Sequence, residues 1–158
     1  MKDITCRGLL SLCLLAVSVQ QVQAHSADEH AGHTAPASST QEHAQVKFAN
    51  VPLLDQNGKT VRLEQDLVQG KIVVISFIYT SCTTVCPVVS SIMGKVQKQL
   101  GARVGNEVQL VSISIDPQRD DPKRLQDYAR AFQKGPGWSW LTGSPQSINE
   151  TLKGLGSF

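Results

Sequence analysis

Beyond His43 this sequence contains no histidine, so the part of the chain with folded character has no imidazole to offer a metal or a proton. Cysteine is nearly as scarce. There are four, and Cys6 and Cys13 sit in a leader-like stretch, which leaves Cys82 and Cys86 alone in the remainder of the chain. One pair is too few for a disulfide framework. A staple at four-residue spacing would also restrict the unfolded chain very little. Zinc and iron–sulfur centres usually draw four protein ligands, and the same shortage excludes them. Aromatics make up 5% of the residues, no basic cluster interleaves with them, and the formal charge is only +2. Nucleic acid is therefore not the partner. Apolar runs stop well short of the ~20 residues that a spanning helix needs. No internal repeat is present. What remains is 158 residues, 41% of them hydrophobic, the size and composition of one globular domain behind its leader.

Lys2 and Arg7 flank the start of an apolar run over residues 9–19, and Val22-Gln23-Ala24 comes next as a small-residue cleavage site. Residues 1–24 therefore read as an export signal, and the mature chain would begin at His25. Neither Cys6 nor Cys13 follows the small residue that a lipoprotein signal requires. Export places the product in the periplasm or an equivalent compartment, tethered to the inner membrane only if the leader stays uncleaved. A thiol pair there is oxidised by default unless a reductant maintains it. Residues 25–45 are rich in His, Ala, Ser and Thr, carry Pro36 and show no apolar period, the mark of a disordered linker. His25, His30, His33 and His43 match no zinc-site spacing. A solvated tether is the first reading of this segment, and a loose copper- or zinc-gathering tail the second.

The domain proper is residues 46–158. Residues 46–51 alternate as a short strand, and Asn57-Gly58 is the strongest hairpin-turn dipeptide of the chain. Residues 60–63 make the return strand, and residues 64–68 a helical turn. Residues 71–78, an unbroken β-branched and aromatic run after Gly70, predict a strand buried on both faces. Val85, Val88, Val89, Ile92, Val96 and Leu100 then recur at three- and four-residue steps until Gly101, which predicts a helix with one apolar stripe. Met93, beside that stripe, belongs to core packing. Residues 108–115 form a second central strand.

Asp120 or Asp121 caps the next helix, which opens with Pro122 and turns Leu125, Tyr128, Ala129 and Phe132 inward. Gly135-Pro136-Gly137 stops it. A third strand spans residues 138–142, with one of Trp138 and Trp140 inward and the other near the surface. Ser144-Pro145 opens a last helix through Ile148, Leu152 and Leu155. From residue 71 onward the order is βαβαβα, that of an α/β sheet with crossover helices. Ligands in such sheets collect beyond the carboxyl ends of the strands. Cys82 and Cys86 lie at one such end and Asp116 at another, on the same edge of the sheet.

The two cysteines sit where a strand hands over to a helix, and Pro87 after them is tolerated in a first helical turn. Unpaired backbone N–H groups and the positive dipole end favour thiolate over thiol there. Residues i and i+4 face the same way, so both sulfurs can converge on one ion. Thiolates are soft ligands, and copper(I), content with two or three of them, is the metal this inventory satisfies. Thiol–disulfide exchange is a second use, although its common motif spaces the cysteines by two residues, not three. Peroxide reduction is a third. Thr83 precedes Cys86 as a peroxidatic threonine would, but the accompanying upstream proline is missing. Asp116 with Pro117 can equally well start a turn.

The segment Phe77-Ile78-Tyr79-Thr80-Ser81-Cys82-Thr83-Thr84-Val85-Cys86-Pro87 resembles the metal-binding loop of the Sco/SenC copper chaperones. Ser114-Ile115-Asp116-Pro117-Gln118-Arg119-Asp120-Asp121-Pro122 resembles that family's second signature, and the aromatic segment at residues 138–143 also fits. The resemblance runs over residues 46–158. It implies a thioredoxin-like α/β fold, a central sheet with flanking helices, here with an N-terminal hairpin extension. It implies delivery of copper to the CuA centre of cytochrome oxidase, with the CuA subunit or another copper protein as partner. Thiol reduction of a partner's cysteines, sustained by a thiol–disulfide reductant, is the alternative.

The same resemblance makes Cys82 and Cys86 both the copper ligands and the redox pair that forms a disulfide when oxidised. Asp116 corresponds to a family aspartate near the site. The role implied is that of a metallochaperone more than an enzyme. The family's third copper ligand is a histidine in a loop beyond the segment where this sequence ends, so the domain is expected to be incomplete, without the fold's last hairpin and helix. Two thiolates suit copper(I), whereas copper(II) prefers added nitrogen ligands. The histidine tail should matter little to the first. Deleting residues 25–42 should leave copper(I) affinity unchanged, and His43→Ala should weaken copper(II) binding only modestly. Electron paramagnetic resonance of the copper(II) form checks this, because nitrogen hyperfine structure unaltered after all four histidines are replaced would remove the tail as a ligand source.

Overall fold

The structure, a computed structural model, describes residues 46–133 and 135–157. The leader, the linker and all four histidines lie outside the described residues. Asp55-Gln56-Asn57-Gly58-Lys59 turns as expected. Gly58 takes a φ of 78°, which glycine adopts without strain, and the Asp55 carboxylate accepts from the Asn57 and Lys59 N–H groups. This turn joins β1 (Leu53–Asp55) to β2 (Thr60–Val61). A π-helical turn, Leu63–Val68, comes next, and then β3 (Ile72–Ile78), α1 (Val85–Leu100) and β4 (Val108–Ser114). The chain continues through α2 (Pro122–Ala129), β5 (Trp138–Thr142) and α3 (Pro145–Gly154). Asp121 caps α2 by accepting from the Arg124 N–H, and Ser144 caps α3 through the Ser147 N–H. Each such cap stabilises its helix by about 1 kcal/mol.

The five strands form one sheet in the order β2-β1-β5-β4-β3. Strands β3, β4 and β5 run parallel, and β1 lies antiparallel to both β5 and β2. This is the expected α/β arrangement with a hairpin at its N-terminal side. One core lies between the sheet and helices α1 and α2, built from Ile78, Met93, Leu110, Leu125, Trp138 and Trp140. The other lies on the opposite face, where Leu53, Leu63, Val111, Ile113 and Leu141 meet Ile148 and Leu152 of α3. Met93 is core, as its position in the sequence predicts. Strand β4 supplies both layers by alternation and is buried along its whole length.

Four expectations are corrected. Residues 46–51 form no strand: both edges of β1 are already taken, by β2 and β5, so the preceding segment runs to α3 instead. There the Lys47 N–H donates to the Gly154 carbonyl at 3.0 Å, and a Cβ at Gly154 would collide with the Lys47 carbonyl oxygen. Strand β3 is not buried on both faces. It is the edge of the described sheet, and Ile72 is 65% exposed.

Helix α1 follows its apolar pattern only in part: Val89, Val96 and Leu100 pack against the core as the stripe predicts. Cys86, Ser90, Met93 and Gln97 face inward, whereas Val85, Val88 and Ile92 are exposed. Ser90 and Gln97 are accommodated by hydrogen bonds, Ser90 to the Tyr128 hydroxyl and Gln97 to the Gly135 and Pro136 carbonyls. Trp138 and Trp140 are both buried. Residues two apart on a strand share a face, and the two indoles stack with centroids 4.5 Å apart.

The exposed apolar side chains are concentrated. Apart from Val46, every large hydrophobic that is exposed among the described residues lies along the β3 edge or beside it: Ile72, Val74 and Phe77 on the strand, Tyr79 after it, Val85, Val88 and Ile92 on α1, and Ile115. An unpaired strand edge with an apolar flank is a template for association. The folded chain should therefore self-associate as its concentration rises. The double variant Ile72→Lys, Val88→Lys should sediment as a monomer under the same conditions; equal association of both proteins would show that this edge is not responsible.

Candidate metal and redox site

Parallel pairing of β3 with β4, in register from Ile72 opposite Val108 to Ile78 opposite Ser114, ends both strands at the same level. The Ile115 N–H donates to the Ile78 carbonyl at 2.9 Å, which fixes the two exits side by side. From Ile78 the chain turns immediately. The Cys82 N–H closes onto the Tyr79 carbonyl at 3.1 Å, and α1 begins three residues later.

The residue before α1, Thr84, makes no side-chain cap. A sulfur takes over that duty, because the Cys86 N–H, in the first helical turn, donates to Cys82 Sγ at 3.3 Å. Orphan N–H groups at a helix start favour a negative acceptor, and a thiolate is one. The Cys82 thiol is accordingly lowered from 9.0 to about 6, chiefly by the hydrogen bond from the Cys86 side chain and then by that from the Cys86 N–H. The Thr84 N–H and the Tyr79 hydroxyl add to this, while burial opposes it. Cys86 moves the other way, pushed up first by burial and then by its hydrogen bond to Cys82. The Tyr79 phenol is also raised, since it donates to the Cys82 sulfur. Both thiols are free, and both are buried, Cys82 at 7% and Cys86 at 4% exposure. One sulfur is thus prepared as the anion and its neighbour kept as the protonated reserve.

The two nearby aspartates of the second motif take different partners. Asp116 stands just past β4, where its carbonyl accepts from the Arg119 and Asp120 N–H groups in a turn. Its carboxylate pairs with Arg119 at 2.9 Å. The carboxylate that reaches the cysteine loop belongs to Asp120. It accepts from the Thr80 N–H at 2.9 Å, from Thr80 Oγ1 at 2.5 Å and from Ser114 Oγ at 2.6 Å. Asp120 and Tyr79 are the residues that sequence reasoning missed as parts of the site. A signal for Asp120 was present, since two adjacent aspartates precede Pro122 and one suffices for a cap. Thr83 lies exposed on the loop.

Among the described residues no group of three or more His, Cys, Asp and Glu side chains converges to hold a metal. Cys82 and Cys86 bring two soft sulfur donors to one point at the helix start. No helix among the described residues is long and apolar enough to cross a membrane.

A dithiol at the junction of a parallel strand and a helix, with an antiparallel hairpin closing the far side of the sheet, defines a thioredoxin-like thiol or soft-metal protein. The chain belongs to the SCO1/SenC family, whose model matches residues 37–158. It is 37% identical over 94 residues to the SCO1 protein homolog of Bacillus subtilis (strain 168), over 59% of this chain and 47% of that protein. The chain thus spans about half the length of the curated relatives it matches. It is similar in structure to Bradyrhizobium japonicum ScoI with copper bound, with a TM-score of 0.63 and 32% identity over 70% of this chain and 67% of that one. It is also similar to BsSco, a member of the Sco family of cytochrome c oxidase assembly proteins in which a disulfide switch is identified. There the TM-score is 0.62 and the identity 31%, over 73% of this chain and 67% of that one.

The lowered thiol has two consequences for pH dependence. Alkylation of the reduced protein should occur first at Cys82, with its rate rising through an inflection near pH 6 while Cys86 lags. An acid whose pKa falls on folding stabilises the fold fully above its unfolded value and loses that contribution as the pH drops through the folded value. For Cys82 the window runs from about 9.0 down to about 6, so the reduced protein should resist urea progressively less across it. Cys82→Ser should flatten that part of the pH profile; a variant profile as steep as the parent's would assign the effect elsewhere.

Proposed function

We propose that this chain is an exported copper-binding protein that holds copper(I) between Cys82 and Cys86 and hands it on during assembly of the CuA centre of cytochrome oxidase. The observation that carries this reading is the sulfur pair itself: two soft donors side by side at a helix start, one favoured as the anion, with no third ligand among the described residues. Copper(I) is cargo here. The Cys82 thiolate meets the ion first. Cys86 then gives up its proton, which the bound cation makes easier, and the second sulfur completes a two-coordinate site.

Release requires thiolates on the recipient that replace these two. Tyr79, Val85, Val88 and Ile115, on the elements that carry the pair or end beside it, are exposed and apolar, so apolar contact contributes to recognition of the recipient. Copper in the similar Bradyrhizobium ScoI structure and the oxidase-assembly role given to BsSco support the assignment. Residues 1–24 act as the export signal in this reading, and residues 25–45 as the linker.

A second reading has its own observation. The division of labour between a low-pKa Cys82 and a buried, high-pKa Cys86 is that of an attacking and a resolving thiol, and the disulfide switch of BsSco supports it. In that reading the pair reduces a disulfide on the recipient, and a thiol–disulfide reductant restores it.

Competition titration of the reduced mature protein separates the two. Copper(I) should bind at one equivalent with a thiolate charge-transfer absorption, and zinc much more weakly. Cys82→Ser and Cys86→Ser should each abolish tight binding, because one thiolate leaves the ion under-coordinated. Zinc bound as tightly as copper(I), or either single variant still binding tightly, would overturn the copper reading. Rapid reduction of a recipient-derived disulfide peptide by copper-free protein would then favour the second.

A further inference from the structure

Asp120 is the only charged side chain buried among the described residues, at 1% exposure. Burying a carboxylate is costly unless every lone pair is engaged, and here three donors engage it. All three belong to the exits of the strands beside the dithiol: the N–H and hydroxyl of Thr80, after β3, and the hydroxyl of Ser114, the last residue of β4. The backbone of Asp120 adds a third strand, since its carbonyl accepts from Thr142 Oγ1 of β5 at 2.6 Å. The start of α2 does not need this residue, because Asp121 caps it. Neither α2 nor the sheet explains why the acid points inward.

The cysteine loop does. Thr80 stands two residues before Cys82, and the Cys82 N–H closes the turn onto Tyr79. That turn is anchored behind by Asp120 and in front by the Cys86 N–H donating to Cys82 Sγ. Releasing the rear anchor lets the sulfur leave the helix start.

We propose that Asp120 is the positioning residue of the dithiol: through Thr80 it fixes Cys82 Sγ against the first turn of α1 and so sets the balance between the reduced pair and the disulfide. The proposal rests on the dithiol being the working centre, whichever of the two uses it serves. In the tethered loop the reduced form keeps its hydrogen bond from the Cys86 N–H. Loosening the loop removes that advantage from the reduced form, and the disulfide gains relative to it.

The test is equilibration of copper-free protein with glutathione. Cys82 and Cys86 lose two electrons and two protons as their S–S bond forms. One glutathione disulfide accepts them and leaves as two glutathione thiols. Asp120→Asn keeps the shape of the side chain, but turns one acceptor facing Thr80 into an NH₂ group. It should shift the equilibrium toward the disulfide about tenfold, equivalent to a potential about 30 mV lower. Thr80→Val loses one of the three bonds and should shift it in the same direction by less, while Thr80→Ser should restore the parent value.

Asp121→Ala is the control. It removes the helix cap next door and lowers the melting temperature, yet should leave the glutathione equilibrium in place. If Asp120→Asn and Thr80→Val melt lower but equilibrate within about twofold of the parent, the role is only structural and the proposal is overturned. Should Asp120→Asn not fold, Thr80→Val against Thr80→Ser decides. A parent pair that never forms the disulfide would overturn the dithiol reading and this proposal together, whereas failure to bind copper would touch only the copper reading.

Discussion

The register between β3 and β4 is the constraint on which the site depends. Seven parallel residue pairs, from Ile72 with Val108 to Ile78 with Ser114, bring two loops that are distant in sequence to one level above the sheet. Parallel strands cannot be joined by a tight turn, so α1 must cross between them, and its N-terminus necessarily arrives at the exit of β3. The cysteines occupy that arrival point. With the register one residue off, each inward and outward position of β3 would exchange, and Ser76 would no longer meet Ser112 at 2.9 Å inside the core.

The chemistry at that point is a competition between burial and hydrogen bonding. Both sulfurs are almost wholly buried, and burial alone would raise both thiols. For Cys82 the donors win, because the Cys86 side chain, the Cys86 and Thr84 N–H groups and the Tyr79 hydroxyl all address one sulfur. For Cys86 burial wins, and its neighbour's sulfur adds to the effect. The asymmetry arises from position along the helix start and not from residue type. A residue before the first turn receives the orphan N–H groups, whereas one inside that turn has already supplied its own. The missing oxygen cap at Thr84 leaves those donors free for the sulfur.

Around the pair, the same elements that build the site leave its surroundings apolar. Val85 and Val88 turn outward from α1 because the inward face is taken by Cys86, Ser90, Met93 and Gln97. Trp138 and Trp140 fill the layer beneath, each indole N–H satisfied, by Ser112 and by Gln133. The site thus has an aromatic floor and exposed apolar neighbours.

Much of this was legible in the sequence, and what was legible is local. Turn formation at Asn57-Gly58, helix starts before Pro122 and Pro145, the strand of residues 72–78 and the dithiol at its exit all depend on residues within a few positions of one another. Family resemblance added the fold. What only tertiary structure decided depends on partners far along the chain. Strand β3 reads as central from its composition, yet among the described residues it is the edge of the sheet, since nothing in a β-branched run says how many neighbours it will have. Apolar spacing alone places Val89, Val96 and Leu100 of α1 on the core correctly. It could not show that Ser90, hydrogen-bonded with the Tyr128 hydroxyl, and Gln97, donating to the 135–136 carbonyls, turn inward while Val85, Val88 and Ile92 stay exposed. Which aspartate hydrogen-bonds the cysteine loop could not be read for the same reason. Asp116 and Asp120 look alike in sequence, and only the fold sets one on Arg119 and carries the other across forty residues to Thr80.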